Sequence, residues 1–283
     1  MLNIDFFLVG APKAGTTSIY SYFKKNPGIF VPQVKEPHYF SCPEVKNTYY
    51  KVNFIDSKNE YESLFEGAKN TQKTGDFSTS YLYEQQAPYR IKETCPNANI
   101  IVMLRDPVER AISHYLMDVR DGYQERPLIE CICGQKEGVN LYYKEYVEKG
   151  MYYKQIKRFK SIFEEEKIGV WLFRELKKDT REVVREMFKF VGSKANYDIE
   201  NFTKKNQYKK INSEIVKKVL NTRLAKNISS FIPSNIKKRA KRAMISTDKP
   251  NLDEARYKLS EIYRDEVNNV QKLIKKDISH WLS

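Results

Sequence analysis

Apolar residues form three short continuous runs along the first two thirds of the chain. The runs extend from Phe6 to Gly10, from Asn99 to Arg105 and from Ile168 to Phe173. Short continuous apolar runs are typical of strands that are buried on both faces of a sheet. We therefore predict that these segments are internal strands of a parallel sheet.

Segments with helical character alternate with these runs. Thr16 to Lys25 follows the first run, Asp106-Pro107 starts a helix that continues through Val119, and a further helix is expected near Asp179 to Val191. The amphipathic stretch from Tyr152 to Glu166 precedes the third run. Strands that alternate with helices predict an α/β fold, in which helices cover both faces of the sheet.

The pattern changes beyond about Asn201, where strand signals fade and aliphatic residues mix with Lys and Arg. From Asn251 to Ser283 apolar residues recur at helical spacing, so this segment is expected to pack onto the core, with Trp281 anchoring its end. We predict a single domain over residues 1–283. Its core comprises about residues 1–200, and residues 201–283 form a basic helical region.

The composition is that of a folded globular protein, with 41% hydrophobic and 30% charged residues. The apolar run near the amino terminus ends too early for a signal peptide or a membrane span, so we expect a cytoplasmic location. The four cysteines do not have the spacing of a disulfide framework or a zinc site, and we interpret them as free thiols. The sequence does not indicate an oligomeric state.

The formal net charge of +14 arises mostly from one region. Thirteen Lys or Arg residues lie between Thr203 and Arg242, against a single acidic residue, Glu214. Such a region is compatible with a solvated helical surface, with a docking face for an anionic glycan, or with peripheral contact to an anionic membrane. A nucleic-acid-binding protein would also explain the charge, but no helix-turn-helix, zinc-finger or aromatic RNA-binding signature is present.

A turn rich in small residues joins the first strand to the first helix. In the segment Gly10 to Ser18, backbone N–H groups and the helix N-terminus can hold a phosphate or a sulfate. The two glycines are similar to those of a nucleotide kinase P-loop, but Thr16 occupies the position of the P-loop lysine, and the cation is Lys13 inside the loop. A tight turn without any ligand is the structural alternative.

The string from Pro12 to Thr17 resembles the 5′-phosphosulfate loop of sulfotransferases that use 3′-phosphoadenosine 5′-phosphosulfate (PAPS). A second segment, from Arg105 to Tyr115, resembles the 3′-phosphate motif of the same family. The resemblance implies that Arg105 and Ser113 contact the 3′-phosphate through a charge-assisted contact and a hydroxyl hydrogen bond. Taken alone, this second segment would be interpreted as a helix cap or a surface ion pair.

The string Lys35-Glu-Pro-His-Tyr-Phe40 is similar to a segment of heparan sulfate 3-O-sulfotransferases. The resemblance implies that Glu36 is the general base for the acceptor and that His38 orients the acceptor or the base. Lys13 would then stabilise the leaving oxygen. A glutamate before a proline, or a single histidine, is more often structural, so these roles depend on the neighbouring motifs.

The segment Gly75 to Tyr81 extends the resemblance, and through it Asp76 is a candidate substrate contact. Phe77 replaces a lysine that heparan-type members usually carry, which limits the transfer of their acceptor specificity to this chain. The segment Gly150 to Gln155 is a further match.

Together these matches imply a P-loop-like three-layer fold and transfer of a sulfuryl group from PAPS, with 3′-phosphoadenosine 5′-phosphate (PAP) as product and no metal. The expected acceptor is a carbohydrate or a glycolipid, and alternatives are a small alcohol, a phenol or a lipid; a P-loop nucleotide kinase is a less favoured class. The resemblance also implies that a loop near Asn206 to Lys210 closes over the 3′-phosphate of the donor. The implied catalytic residues are Glu36, Lys13 and His38, the acceptor contacts are Glu36, His38 and Asp76, and the donor-binding residues are Pro12, Lys13, Ala14, Gly15, Thr16, Thr17, Ser18, Arg105, Ser113, Lys209 and Lys210.

Overall fold

The computed structural model describes residues 4–42, 44–46, 48–49, 52–133, 140–193 and 252–282. Within these residues five strands form one sheet in the order β2-β3-β1-β4-β5, and all pairings are parallel. The strands are β1 Phe6–Gly10, β2 Ile29–Phe30, β3 Lys73–Phe77, β4 Asn99–Leu104 and β5 Ile168–Leu172. The predicted α/β fold with a parallel sheet and flanking helices is confirmed.

Helices connect the strands, as a parallel sheet requires. In chain order they are α1 Thr16–Lys25, α2 Lys58–Ser63, α3 Ala87–Thr94, α4 Pro107–Asp121, α5 Leu128–Cys133, α6 Leu141–Tyr146, α7 Tyr152–Lys160, α8 Phe173–Lys178, α9 Thr180–Phe190 and α10 Asp253–Ile274. Five short 3₁₀ turns are described, at Tyr39–Ser41, Glu44–Lys46, Glu148–Gly150, Glu165–Lys167 and Ser279–Trp281.

The sheet is buried on both faces because successive side chains of a strand point in opposite directions. Phe6 of β1 packs against Phe23 of α1 and Phe77 of β3, with ring centroids 5.3 and 6.1 Å away. The next residue, Phe7, packs on the other face against Phe40 and Tyr81 at 5.5 and 6.3 Å. The alternation explains why the run Phe6–Gly10 is apolar throughout.

The predicted elements differ from the observed ones at several points. The third run ends at Leu172, because Phe173 already begins a short helix. The amphipathic stretch from Tyr152 is helical only to Lys160, after which a turn leads into β5. Strands β2 and β3 were not predicted as strands, because neither has a continuous apolar run.

The carboxyl-terminal segment packs onto the core, as its helical spacing predicts. Helix α10 contacts α4, α5 and α7, and it buries Leu259, Tyr263 and Val267. Trp281 is buried, and its ring centroid lies 6.3 Å from that of Tyr152. None of the described helices combines the length and the apolar character needed to cross a bilayer. The basic segment from Thr203 to Arg242 lies outside the described residues, so the prediction of its helical character stays a prediction.

Candidate active site

The loop between β1 and α1 delivers a helix N-terminus to the carboxyl edge of the sheet. Lys13 and Gly15 both have left-handed backbone conformations, with φ of 67° and 86°. A Cβ atom on Gly15 would lie 2.8 Å from the Phe173 ring, so only glycine fits there without rearrangement. The first N–H groups of α1 have no partners within the helix, and the helix dipole adds a partial positive charge. The loop is therefore suited to an anion.

The ammonium group of Lys13 has no carboxylate within ion-pair distance among the residues that the structure describes. Its Nζ atom lies 3.1 Å from the Sδ atom of Met117, and a thioether is a weak acceptor. Burial, and then the nearby Arg120 guanidinium, lower the pKa of Lys13. A bound anion would offset both effects, so the position favours a negatively charged ligand.

Arg105 lies at the end of β4 and contacts the same loop. Its guanidinium donates a hydrogen bond to the backbone oxygen of Lys13 at 3.0 Å and stacks on the Phe173 ring with its central carbon 5.1 Å from the centroid. It also lies 3.7 Å from Glu109. The two predicted donor-binding motifs, ninety residues apart in sequence, are thus in direct contact.

A second loop carries Glu36 and His38, and both residues have left-handed backbone conformations with φ of 62° and 57°. With Lys13, they are three of the four non-glycine residues with positive φ in the described parts of the chain; the fourth is Lys275. Strained backbone persists only where the surroundings impose it, and it is concentrated at functional sites. The strain here coincides with the three residues predicted to be catalytic.

Three neighbours surround the Glu36 carboxylate, and two of them donate hydrogen bonds to it. Lys35 donates to Oε1, the Thr79 hydroxyl donates to Oε2 at 3.2 Å, and His38 Nε2 lies 3.6 Å from Oε2. Burial raises the pKa of Glu36, but the Lys35 ammonium and the hydrogen bonds from Lys35 and Thr79 act against burial, and the pKa lies below its ordinary value. The carboxylate is therefore ionised at neutral pH and can accept a proton.

The His38 ring is buried between the Glu36 carboxylate and a serine. Its Nδ1 atom lies 2.7 Å from the Ser80 hydroxyl, and its backbone N–H donates to the Ser78 hydroxyl at 3.2 Å. Burial lowers the pKa of His38 to about 4, and the Glu36 carboxylate only partly opposes this effect. The ring is neutral at pH 7.

Asp76 is not among the residues that line the cavity, and its predicted contact with the substrate stays a prediction. Its carboxylate is buried and accepts hydrogen bonds from the hydroxyls of Tyr61, Tyr81 and Ser78 at 2.7, 2.8 and 2.8 Å. Since the Ser78 hydroxyl in turn accepts the backbone N–H of His38, Asp76 supports the loop of the predicted base. The matched motif thus contributes a buried hydrogen-bond network behind this loop.

One cavity of about 1000 Å³ unites most of the predicted residues. Pro12, Lys13, Gly15, Thr16, Thr17, Glu36, His38 and Ser113 line it. Ala14, Ser18, Arg105 and Asp76 are not among its lining residues, although Arg105 contacts the loop from behind. Lys209 and Lys210 lie outside the described residues, so their predicted contact with the 3′-phosphate stays a prediction.

The sequence did not single out several other residues of this cavity. Thr79 and Ser80 were inside a matched segment but had no assigned role, and Lys149 precedes the segment that begins at Gly150. Lys149 donates to the buried Glu145 carboxylate at 2.5 Å. Five apolar residues also line the cavity, and they are Val34, Val45, Val52, Phe54 and Ile55.

The parallel sheet, and the cavity that the loop of Lys13 and the Glu36 carboxylate line together, are consistent with a group-transfer enzyme. The chain belongs to the sulfotransferase domain family, whose pattern it matches over residues 3–272. It is also similar, over 100% of both chains, to the crystal structure of a sulfotransferase from Alicyclobacillus acidocaldarius, with 27% sequence identity and a TM-score of 0.72. The resemblance found in the sequence is confirmed at the level of the family and the fold.

Two curated relatives share shorter segments with the chain. The membrane-associated sulfotransferase kil1 of Dictyostelium discoideum is 31% identical over 116 residues, which are 41% of this chain and 23% of that protein. Human heparan sulfate glucosamine 3-O-sulfotransferase 6 is 31% identical over 109 residues, which are 38% of this chain and 28% of that protein. The matched segments thus span only about a quarter of the curated relatives' length.

Proposed function

We propose that the chain transfers the sulfuryl group of PAPS to an acceptor hydroxyl or amine, on a carbohydrate or a glycolipid. The observation that carries the proposal is the shared cavity, in which the ionised Glu36 carboxylate and the Lys13 ammonium both line the wall beside the α1 N-terminus. An in-line displacement needs a base on the nucleophile and positive charge on the leaving oxygen. A kinase P-loop is less well supported, because Thr16 stands where its lysine would be.

In the proposed step the acceptor oxygen attacks the sulfur atom of PAPS. The new S–O bond forms as the bond from sulfur to the 5′-phosphate oxygen breaks, and PAP leaves with that oxygen and its electron pair. Glu36 takes the acceptor's proton, and Lys13 stabilises the negative charge that develops on the leaving oxygen. The 3′-phosphate end of the donor is proposed to bind to Arg105 and Ser113. Two lysines of the basic region after the core, Lys209 and Lys210, are proposed to contact the same phosphate.

The carbohydrate acceptor is supported by the curated relative that is named for action on heparan sulfate glucosamine. Peripheral contact with a membrane is supported by the kil1 relative, which is described as membrane-associated. The apolar residues that line the cavity suit a sugar ring, whose C–H faces are apolar, as well as the lipid-proximal part of a glycolipid.

The proposal is tested by incubating the full chain with PAPS labelled with ³⁵S and with separate pools of polysaccharide, glycolipid and small alcohols. We expect label in the carbohydrate or glycolipid product, with mass spectrometry locating the added group, and we expect PAP to raise the melting temperature. If no pool gains label and PAP does not stabilise the protein, the proposed function is wrong. Label only in small alcohols or phenols would overturn the acceptor class alone.

Glu36→Gln separates the base from the donor site. We expect the variant to keep stabilisation by PAP and to lose transfer by at least about a hundredfold, because the amide cannot accept the proton. Glu60→Gln is the matched control. Glu60 also lines the cavity, but none of its described hydrogen bonds involves Glu36, Lys13 or His38. Full transfer by Glu36→Gln with every acceptor would refute the base assignment.

A further inference from the structure

Two buried serine hydroxyls lie in a row behind the His38 ring. The Ser80 oxygen lies 2.7 Å from Nδ1 of His38 and 2.7 Å from the Ser41 hydroxyl oxygen. The Ser41 oxygen in turn lies 3.1 Å from the backbone oxygen of His38. All three residues are less than 9% exposed. The described structure thus contains a closed chain of short polar contacts that starts and ends on one histidine.

The number of available protons fixes the direction of this chain. A carbonyl oxygen can only accept, so the Ser41 hydroxyl donates its single proton to the His38 backbone oxygen. The Ser80 hydroxyl must then donate to Ser41, and Nδ1 of His38 must donate to Ser80. A neutral imidazole carries one N–H, so the proton is on Nδ1 and the lone pair is on Nε2.

The lone pair of Nε2 then faces a second acceptor. Oε2 of Glu36 lies 3.6 Å from Nε2, and no described residue donates a hydrogen bond to Nε2. Thr79 and Lys35 hold the carboxylate in place, so it cannot turn away without losing those hydrogen bonds. Two hydrogen-bond acceptors at this distance are stabilised by a hydrogen-bond donor between them. The O–H or N–H of the group that is to be sulfonated supplies this donor.

We infer that Ser41 and Ser80 are positioning residues that fix His38 as its Nδ1–H tautomer, so that Nε2 and Glu36 together receive the hydrogen of the group that is sulfonated. The inference rests on the proposed function. During transfer the proton passes to Glu36, while Nε2 accepts a hydrogen bond and orients the nucleophile's lone pair toward sulfur. The tautomer of His38 is the same before and after the step.

Burial, more than the charged groups around the ring, keeps His38 neutral. Glu36 and Lys35 face it from its own loop, and Lys149 faces it from the turn Glu148–Gly150. Lys149 and Lys35 oppose protonation of the ring, whereas Glu36 favours it, and burial has the largest effect. The neutral form, on which the proton count depends, therefore persists across the neutral pH range.

The tautomer is measured by ¹⁵N NMR of the imidazole groups in the full chain without donor. The chain has three histidines, and the His38 signal is assigned by its loss in His38→Gln. We expect the wild type to carry the proton on Nδ1. In Ser41→Ala the Ser80 proton has no serine acceptor and turns to Nδ1, so we expect the proton of His38 to move to Nε2. A wild type protonated on Nε2, or a tautomer unchanged in Ser41→Ala, overturns the inference.

The kinetic test uses the same variant. In Ser41→Ala the Nε2–H would donate to Glu36, which lowers the pKa of the carboxylate, so the acidic limb of the pH profile of kcat/KM should move to lower pH. We expect kcat to fall about tenfold, the change expected for one lost hydrogen bond, with an unchanged KM for PAPS. Ser63→Ala, which removes a hydroxyl from an exposed position of α2, should leave the profile unchanged. A Ser41→Ala profile that falls in amplitude without moving would mean a merely structural role and overturn the inference.

The two proposals fail separately. A protein that transfers no label but shows the expected change of tautomer refutes the proposed function and, with it, the role of Nε2 in receiving the substrate hydrogen. A protein that transfers label while its His38 carries the proton on Nε2 refutes the positioning role of the serines and leaves the proposed function intact.

Discussion

Asp76 shows how one buried side chain can support a site without lining it. Its carboxylate is 1% exposed and accepts three hydroxyl hydrogen bonds, one of them from the serine that holds the His38 backbone. Burial raises the pKa of Asp76 to about 6, although the hydrogen bonds from Tyr61, Tyr81 and Ser78 oppose this shift. The network is therefore sensitive to pH.

Stability should fall as pH rises through this pKa. An unfolded aspartate has a pKa of about 3.9. Between that value and about 6 the folded protein holds a proton that the unfolded chain releases, so the contribution of Asp76 decreases by up to about 3 kcal/mol as pH rises from 4 to 7. Asp76→Asn should remove this part of the pH dependence.

The measurement compares urea unfolding at pH 4.5 and pH 7. The free energy of unfolding of the wild type minus that of Asp76→Asn should be smaller at pH 7 than at pH 4.5. Asp56→Asn, at an exposed aspartate, serves as the control and should show no such change. A difference that is the same at both pH values would mean that Asp76 stays ionised throughout, contrary to the prediction.

At the scale of elements, β3 lies against β1 only because one of its residues lacks a side chain. Phe6 pairs with Gly75 in the parallel register, and a Cβ atom on Gly75 would lie 2.1 Å from the Phe6 ring. The Phe6 ring cannot move away, because it packs between Phe23 and Phe77. This register also places the residues that follow β3 beneath the loop of Glu36.

Gly75→Ala should therefore destabilise the protein by about 1–3 kcal/mol through overpacking. Gly67→Ala is the matched control, since its Cβ would meet the edge of the Phe30 ring at 3.3 Å, a distance that a small shift of the ring relieves. Urea unfolding at constant pH measures both variants. Equal losses in the two variants would contradict the packing argument.

At the scale of the whole molecule, the carboxyl-terminal helix α10 packs against the segment around the turn that carries Lys149. The Tyr263 hydroxyl lies 2.8 Å from the Val147 oxygen and 3.1 Å from the Tyr146 oxygen, and donates to these backbone acceptors. A Cβ atom on Gly150 would lie 2.5 Å from the same hydroxyl. The carboxyl-terminal helix thus makes a buried contact with the backbone on both sides of Lys149, which lines the cavity.

Tyr263→Phe should cost about 1 kcal/mol of stability, because the variant loses the one buried hydrogen bond that the hydroxyl proton makes. Gly150→Ala should also lower transfer, because the methyl group displaces either the helix or the turn next to Lys149. Tyr257→Phe, at a residue of α10 that is 66% exposed, is the control for loss of a tyrosine hydroxyl. Thermal unfolding measures the loss of stability, and the ³⁵S assay measures the loss of transfer. A Gly150→Ala variant with wild-type stability and transfer would show that the contact between α10 and this turn is not required.

The sequence by itself determined β1, β4 and β5, the helices α1, α4 and α9, and the loop around Lys13. Continuous apolar runs, the aspartate cap with proline before α4 and the glycine of the loop are local signals, each interpretable within about ten residues. Glu36 and His38 became candidates by a different route, the resemblance of Lys35 to Phe40 to a segment of heparan sulfate 3-O-sulfotransferases.

Only the tertiary structure decided which of these residues meet. Asp76 lies in a matched motif, yet burial removes it from the cavity, while Ser80 and Lys149 reach the cavity from other segments without any distinctive local pattern. Strand β3 pairs with β1, and β2 pairs in turn with β3, so both are recognised through their neighbours in the sheet rather than through an apolar run of their own. Side-chain partnerships between segments that lie far apart along the chain depend on how the elements pack, and a local pattern of residues does not encode them.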